Sequence, residues 1–288
     1  MSTGAPTSQT LALTAVAMLA FAGNSLLCRL ALQHSGIDPA SFTSVRLTSG
    51  AVVLWALVRW RGQRPAGDWG SAAALFVYAA AFSYAYLSLS AGTGALLLFG
   101  AVQATMLGWG LWRGQRLGWG QTAGLMLALG GLVALLLPGV TAPPAGGALL
   151  MTAAGVAWGV YSLRGRGAGD PTAVTAGNFV RASALAVPLA LAALPWARAD
   201  VAGLLWALCS GAVTSGLGYA IWYTALKGLQ PTSSASVQLS VPVLTALGGV
   251  ALLSEPLTLR LALCSAAILG GIACVITGQP GALRRASN

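Results

Sequence analysis

Long apolar runs, each about the length of a bilayer crossing, fill this chain from end to end and are separated by short polar connections. A hydrocarbon layer ~30 Å thick needs ~20 apolar residues per helix. Ten such stretches can be read: Leu11–Leu32, Pro39–Trp60, Gly70–Ser90, Gly94–Trp112, Gly120–Leu137, Gly146–Leu163, Thr172–Trp196, Val201–Leu226, Thr232–Ser254 and Thr258–Thr277. They are continuous rather than alternating, which argues against barrel strands. Helices remain as the structure that satisfies its own backbone in lipid. Charged residues are 7% of the 288, against ~25% in an average soluble chain, so a water-facing surface could not be covered. The expected fold is an all-α integral membrane protein with lipid as its solvent.

The charge balance gives the orientation. Lys+Arg number 15 against 5 Asp+Glu, an excess that in a soluble chain would suggest nucleic acid. In a membrane chain it reads as cytoplasmic loop charge, and no nucleic-acid partner is expected. With a cytoplasmic N-terminus, the inner loops and tail hold Arg59, Arg61, Arg64, Arg113, Arg116, Arg164, Arg166, Lys227, Arg284 and Arg285, and the outer loops hold Arg198 and Arg260. Both termini are then cytoplasmic, and a multi-pass inner-membrane location follows. Ala20-Phe21-Ala22 imitates a signal-peptidase site, but Met1 to Thr10 lack a basic region, so no cleavage is expected. Cys28, Cys209, Cys264 and Cys274 match no metal spacing and read as packing residues.

Local patterns recur in order along the chain. Ala20-Phe21-Ala22-Gly23 faces Val156-Ala157-Trp158-Gly159. Asp38-Pro39 with Thr43 and Arg46 faces Asp170-Pro171 with Thr175 and Arg181. Tyr84-Ala85 faces Tyr219-Ala220, and Gly130-Gly131 faces Gly270-Gly271. Two five-helix repeats are expected, residues 1–140 and 141–288. Five is odd, so the second half enters the membrane inverted, an architecture that places a solute site at the midplane between the halves.

This arrangement, the two Asp-Pro helix starts and Glu255-Pro256-Leu257-Thr258 together resemble the EamA-type families of the drug/metabolite transporter superfamily. In the first half the matching segment is Gly114-Gln115-Arg116-Leu117, with Gln115 in place of the acid, and Gln103 stands near the counterpart of Pro242. Within the superfamily the chain looks most like the aromatic amino-acid exporters. The resemblance implies a carrier of small amphipathic solutes working by alternating access. It also implies a central cavity, no cofactor, no metal and no catalytic residues.

The candidate cavity residues are the ring and amide side chains inside the spans. Tyr78 and Phe82 share a helix face, as do Phe99 and Gln103; Trp158 and Tyr161 stand three apart, and Tyr219 and Tyr223 four apart. Ser234 and Gln238 form a polar pair, and Asn24 lies one turn before Cys28. Such a lining stacks rings and hydrogen-bonds amino or carboxylate groups, which suits aromatic and other neutral amino acids. Arg29 and Arg46 are expected to snorkel from the outer helix ends; the competing reading has Arg46 or Arg181 meet a substrate carboxylate or close a gate. Pro242, one turn after Gln238, marks a bending element. The five acids lie in loops or at helix ends, so coupling through a buried proton relay is not expected.

Other classes fare worse. A membrane serine protease needs a Ser–His pair, and the one histidine, His34, lies in the first outer loop. Lipid phosphotransferases need paired acids that are missing. A channel would show a charged ring or filter repeat. Efflux of other small molecules is the alternative within carriers. Small-xxx-small faces at Gly120, Gly124 and Ala128, and at Ala266, Gly270 and Cys274, could pack within or between protomers; a monomer is the simpler expectation.

Overall fold

The computed structural model describes residues 7–114, 116–137, 142–165, 169–226, 228–229 and 237–277, and every regular element among them is helical. In chain order they are α1 (Ser8–His34), α2 (Pro39–Trp60), α3 (Trp69–Ala85), α4 (Ala91–Trp112) and α5 (Trp119–Leu136). There follow α6 (Ala145–Arg164), α7 (Pro171–Ala193), α8 (Val201–Leu226), α9 (Ser240–Leu253) and α10 (Leu259–Thr277). Eight of these described helices are long and apolar enough to cross a membrane. The other two, α3 with 17 residues and α9 with 14, are apolar but shorter. They rise roughly 25 and 21 Å, less than the ~30 Å hydrocarbon layer.

The shorter third helix corrects the sequence expectation. The third span stops at Ala85 instead of Ser90 because the chain turns over Tyr86 to Leu89 and Ser90 starts the next helix, its hydroxyl accepting the Thr93 N–H at 3.3 Å. In the ninth span, Val237 and Gln238 are helical, Leu239 forms a turn and α9 begins at Ser240. Pro242 therefore sits in the first turn after that interruption, where its missing N–H breaks no helical hydrogen bond. Ser234 and Gln115 lie outside the described residues.

Four of the five acids cap helices. Asp38 accepts the N–H groups of Ala40 and Ser41, and Asp170 those of Thr172 and Ala173, each followed by proline at the first helical position. Asp68 and Asp200 cap α3 and α8 in the same way. Each carboxylate meets free backbone donors and the positive end of a helix dipole.

The spans pack in matched pairs: α2 on α7, α5 on α10, α3 on α6 and α1 on α8, with α4 against α6 and α9. Small residues set a close seam between α5 and α10. A Cβ on Gly124 would fall 2.6 Å from the Gly271 carbonyl and 2.7 Å from Cys274, so α5 and α10 meet backbone to backbone within one chain. Gln121 fastens that seam, donating to the Val275 carbonyl at 3.1 Å. Outward positions carry large apolar groups and exposed tryptophans, including Trp60, Trp112, Trp119 and Trp196 at span ends, as expected of an interfacial belt.

Helix α8 changes winding midway. Cys209–Leu217 forms a π-helix between α-helical ends. Its wider turn holds Ser210, Thr214 and Ser215 against α1 and α2, and such segments are frequent at functional sites.

Candidate functional site

One cavity of about 360 Å3 opens between α1, α3, α4, α6, α7 and α8. Pockets that hold small ligands run from ~300 to 1,000 Å3, so this one suits a compact solute. Its walls include Asn24, Tyr78, Phe82, Phe99, Trp158, Tyr161, Tyr219, Tyr223 and Gln238. The amphipathic candidates thus converge, drawn from spans far apart in sequence. Gln103 does not join them: the inward stripe of α4 runs through Leu98, Phe99, Val102 and Met106, which leaves Gln103 on its edge. Among the described residues, no acid, lysine, arginine or histidine lines the cavity.

Its rings form one connected surface. Trp158 lies 4.8 Å from Tyr78 and 5.3 Å from both Tyr161 and Tyr219, ring centre to centre. Phe21 stands edge-on to Tyr219 and Trp222 at 5.7 and 5.9 Å. Tilted and edge-on contacts at these separations are the favourable ones. They hold the rings in place, and the uncovered faces are presented to whatever enters.

Polar groups mark the two ends. Towards the helix ends at Gly165, Pro171 and Leu226, the Thr175 hydroxyl lies 3.2 Å from the Tyr223 hydroxyl and 3.5 Å from that of Tyr161. At the far end, Asn24 Oδ1 accepts the Ser210 hydroxyl at 2.8 Å, and Asn24 Nδ2 donates to the Tyr78 hydroxyl at 3.5 Å. Beyond Tyr78 the interior is filled: Phe82, Tyr86, Thr43 and Ser83 are fully buried.

Arg46 lies in that filled layer. It is 2% exposed, so the snorkelling expectation fails: the side chain points into the bundle. Its Nη2 donates to the Tyr78 hydroxyl at 3.0 Å and Nε to Ser215 at 3.4 Å, and its Cζ sits 4.9 Å from the Phe82 ring centre and 5.2 Å from that of Tyr78. A guanidinium at mid-span costs ~2.5 kcal/mol or more, and each ring face offsets ~0.5–2 kcal/mol of that. Arg29 does not snorkel either: its Nε meets Glu255 at 3.0 Å and its Nη1 donates to the Tyr86 carbonyl at 2.8 Å. Glu255 in turn accepts the Ala91 N–H at 2.8 Å, so α1, α3, α4 and the α9–α10 connection are tied at one point.

Arg181 turns away from the cavity. It donates to the carbonyls of Ala66 and Gly177 and lies over Trp69, where it braces the α2–α3 connection. The spacing that matches Asp38 to Asp170 and Thr43 to Thr175 carries Arg46 to Asn178, whose Oδ1 accepts the Asp68 N–H at 3.0 Å. At this same end Arg164 meets Asp68 at 2.7 Å. The Ser71 hydroxyl and N–H, with Arg164, hold the Asp68 carboxyl well below the usual carboxylate range.

Sequence reasoning missed Ser25, Thr175, Asn178 and Thr214 at the cavity wall, and all of α7. The available signal was polarity inside apolar runs, above all Ser210, Thr214 and Ser215 in α8. Among the described residues no group of three or more His, Cys, Asp or Glu is placed to hold a metal ion.

Comparison with known proteins agrees with the architecture. The model of the EamA-like transporter family matches residues 145–277. The uncharacterized protein PA1977 of Pseudomonas aeruginosa is 61% identical over 97% of this chain and 99% of its own length. One solved crystal structure, 23% identical, superposes over 92% of this chain and 98% of its own with a TM-score of 0.66, a likeness that shows a shared fold. The chain belongs to the EamA-like transporter family of the drug/metabolite transporter superfamily, and it is a multi-pass membrane transporter.

Proposed function

We propose that the protein is an inner-membrane carrier of aromatic and other neutral amino acids that works by alternating access and without proton coupling. The carrying observation is the cavity wall: a continuous ring surface interrupted by hydroxyls and amides, with no charged side chain among the described residues. Rings stack on an aromatic side chain, and amides and hydroxyls hydrogen-bond a zwitterion at either pole. A cationic drug would favour a buried acid, and a phosphorylated solute several converging cations. The neutral wall supports neither. The resemblance of the sequence to aromatic amino-acid exporters supports the same reading.

The matched packing supports two inverted five-helix repeats. The pairs α2–α7 and α5–α10 join equivalent spans, and α3 on α6 is answered by α1 on α8. Local detail repeats too: the hydroxyls of Thr43 and Thr175 each donate to a proline carbonyl one turn back, at 2.7 Å in both. With the N-terminus cytoplasmic, the cavity opens to the cytoplasm and the Arg29–Glu255 end is the closed outer face. A monomer suffices, since the small-residue seam is satisfied within one chain.

Counterflow in proteoliposomes tests the substrate class. Vesicles preloaded with unlabelled L-phenylalanine or L-tryptophan should take up the labelled amino acid saturably with no pH gradient. Counterflow of a hydrophobic cation with none of either amino acid would overturn the reading. Uptake that requires an imposed pH gradient would overturn the uncoupled mechanism.

A further inference from the structure

We infer that Arg46 and Tyr78 form a carboxylate-binding subsite at the closed end of the cavity. The inference rests on reading that cavity as the solute site. Arg46 is a buried cation whose side-chain contacts are two hydroxyls and two ring faces. Its Nη1 is buried with no hydrogen-bond partner. A buried guanidinium with an orphan donor is a costly arrangement, and an anion held nearby at the cavity wall would offset its charge.

Tyr78 carries that charge to the cavity wall. Its hydroxyl oxygen accepts from Arg46 Nη2 at 3.0 Å and from Asn24 Nδ2 at 3.5 Å. Both lone pairs are then engaged, and the phenolic proton is left for an acceptor in the cavity. Hydrogen bonds from a donor polarised by a cation are stronger than neutral ones. Asn24 keeps the same polarity: its carbonyl is occupied by the hydroxyls of Ser210 and Thr214, so its amide faces the site as a donor. Three groups from α1, α2 and α3 thus offer donors and a positive potential at one place, and the rings of Trp158 and Tyr219 adjoin it. A carboxylate fits there, with the rest of the solute lying along the rings towards the open end.

The test compares L-phenylalanine with L-phenylalaninamide, which keeps the ring and the amine but lacks the carboxylate. Binding is measured by calorimetry on the purified full-length protein in detergent. The wild type should bind the acid roughly 10- to 100-fold more tightly than the amide, the range for a hydrogen bond to a charged group. Arg46→Gln and Tyr78→Phe should each remove most of that gap by weakening the acid alone, and Arg46→Lys should keep part of it. If Arg46→Gln does not fold, Tyr78→Phe, which retains the ring, decides. Equal affinities in the wild type, a gap that survives in the folded variants, or no binding of the acid would overturn the subsite. Counterflow separates the two readings: amino-acid exchange without the gap overturns the subsite alone, and the gap without exchange overturns the carrier reading alone.

Discussion

Two ion pairs hold the two ends of the molecule, and they differ in setting. Arg29–Glu255 has side chains 16% and 13% exposed and also holds the Tyr86 carbonyl and the Ala91 N–H. Arg164–Asp68, at the cavity's open end, has side chains 47% and 51% exposed and joins α6 to the start of α3. Part-buried charges are costly to separate once their neighbours depend on them, whereas exposed pairs contribute ~0–1 kcal/mol. One end of the transporter is therefore locked by electrostatics inside packed protein, and the other is tethered loosely in water. The same contrast runs through the interior, where the locked end is filled by Phe82, Tyr86 and Arg46 and the loose end leads into the cavity.

The largest effect should come from breaking the lock. Glu255→Ala strands Arg29 and frees the α4 start, and should destabilise the closed arrangement by about 3 kcal/mol, the low end for a broken buried pair. Thermal unfolding in detergent checks this, and Arg29→Glu with Glu255→Arg should recover part of the loss. Next comes the cavity wall. Trp158→Ala removes the ring that joins Tyr78, Tyr161 and Tyr219 and should lower exchange at least tenfold with the amount of folded protein unchanged. Gln103→Ala, half-buried on the edge of the α4 stripe and outside the cavity wall, should leave exchange within about twofold. Equal losses in the two variants would break the assignment of the wall.

Smaller still is the tether. Asp68→Asn should cost at most ~1 kcal/mol, because the pair is half exposed. Its carboxyl is held below the ordinary value, so its contribution is complete above ~3.9 and is lost only as pH falls from there towards the folded value. Wild type and Asp68→Asn should therefore melt with a constant offset between pH 5 and 8. An offset that grows across that interval would contradict the depressed carboxyl.

Much of this was legible in the residues. Apolar runs fixed most helices, because lipid leaves a chain few other ways to satisfy its backbone. Of the small-residue faces, Gly124, Ala128 and Cys274 lie in a close seam between α5 and α10 of the same chain, where Gly271 rather than Gly270 makes the approach, and Gly120 and Gly270 face open space. Helical spacing pointed to seven of the nine rings in the cavity wall, but not to most of its apolar and hydroxyl residues. Arg46 was misread because an arginine near a span end has the same local sequence whether it snorkels or turns inward. What turns it inward is Ser215, 169 positions away, and Tyr78 on another helix. The π-helical stretch of α8 was equally hidden. A shift of backbone hydrogen bonds leaves no residue signature beyond a run of small polar side chains, and that shift brings Thr214 to the cavity.

A compartment that opens to one side at a time makes a definite prediction for paired cysteine accessibility. With the native cysteines replaced, Leu226→Cys at the open end should react with a membrane-impermeant maleimide from the cytoplasmic side, and Ser83→Cys in the filled layer should not react from either side. Adding Glu255→Ala should reverse this, protecting position 226 and exposing position 83 to the outside. Simultaneous labelling of both positions from opposite sides, or a pattern unmoved by Glu255→Ala, would contradict the account.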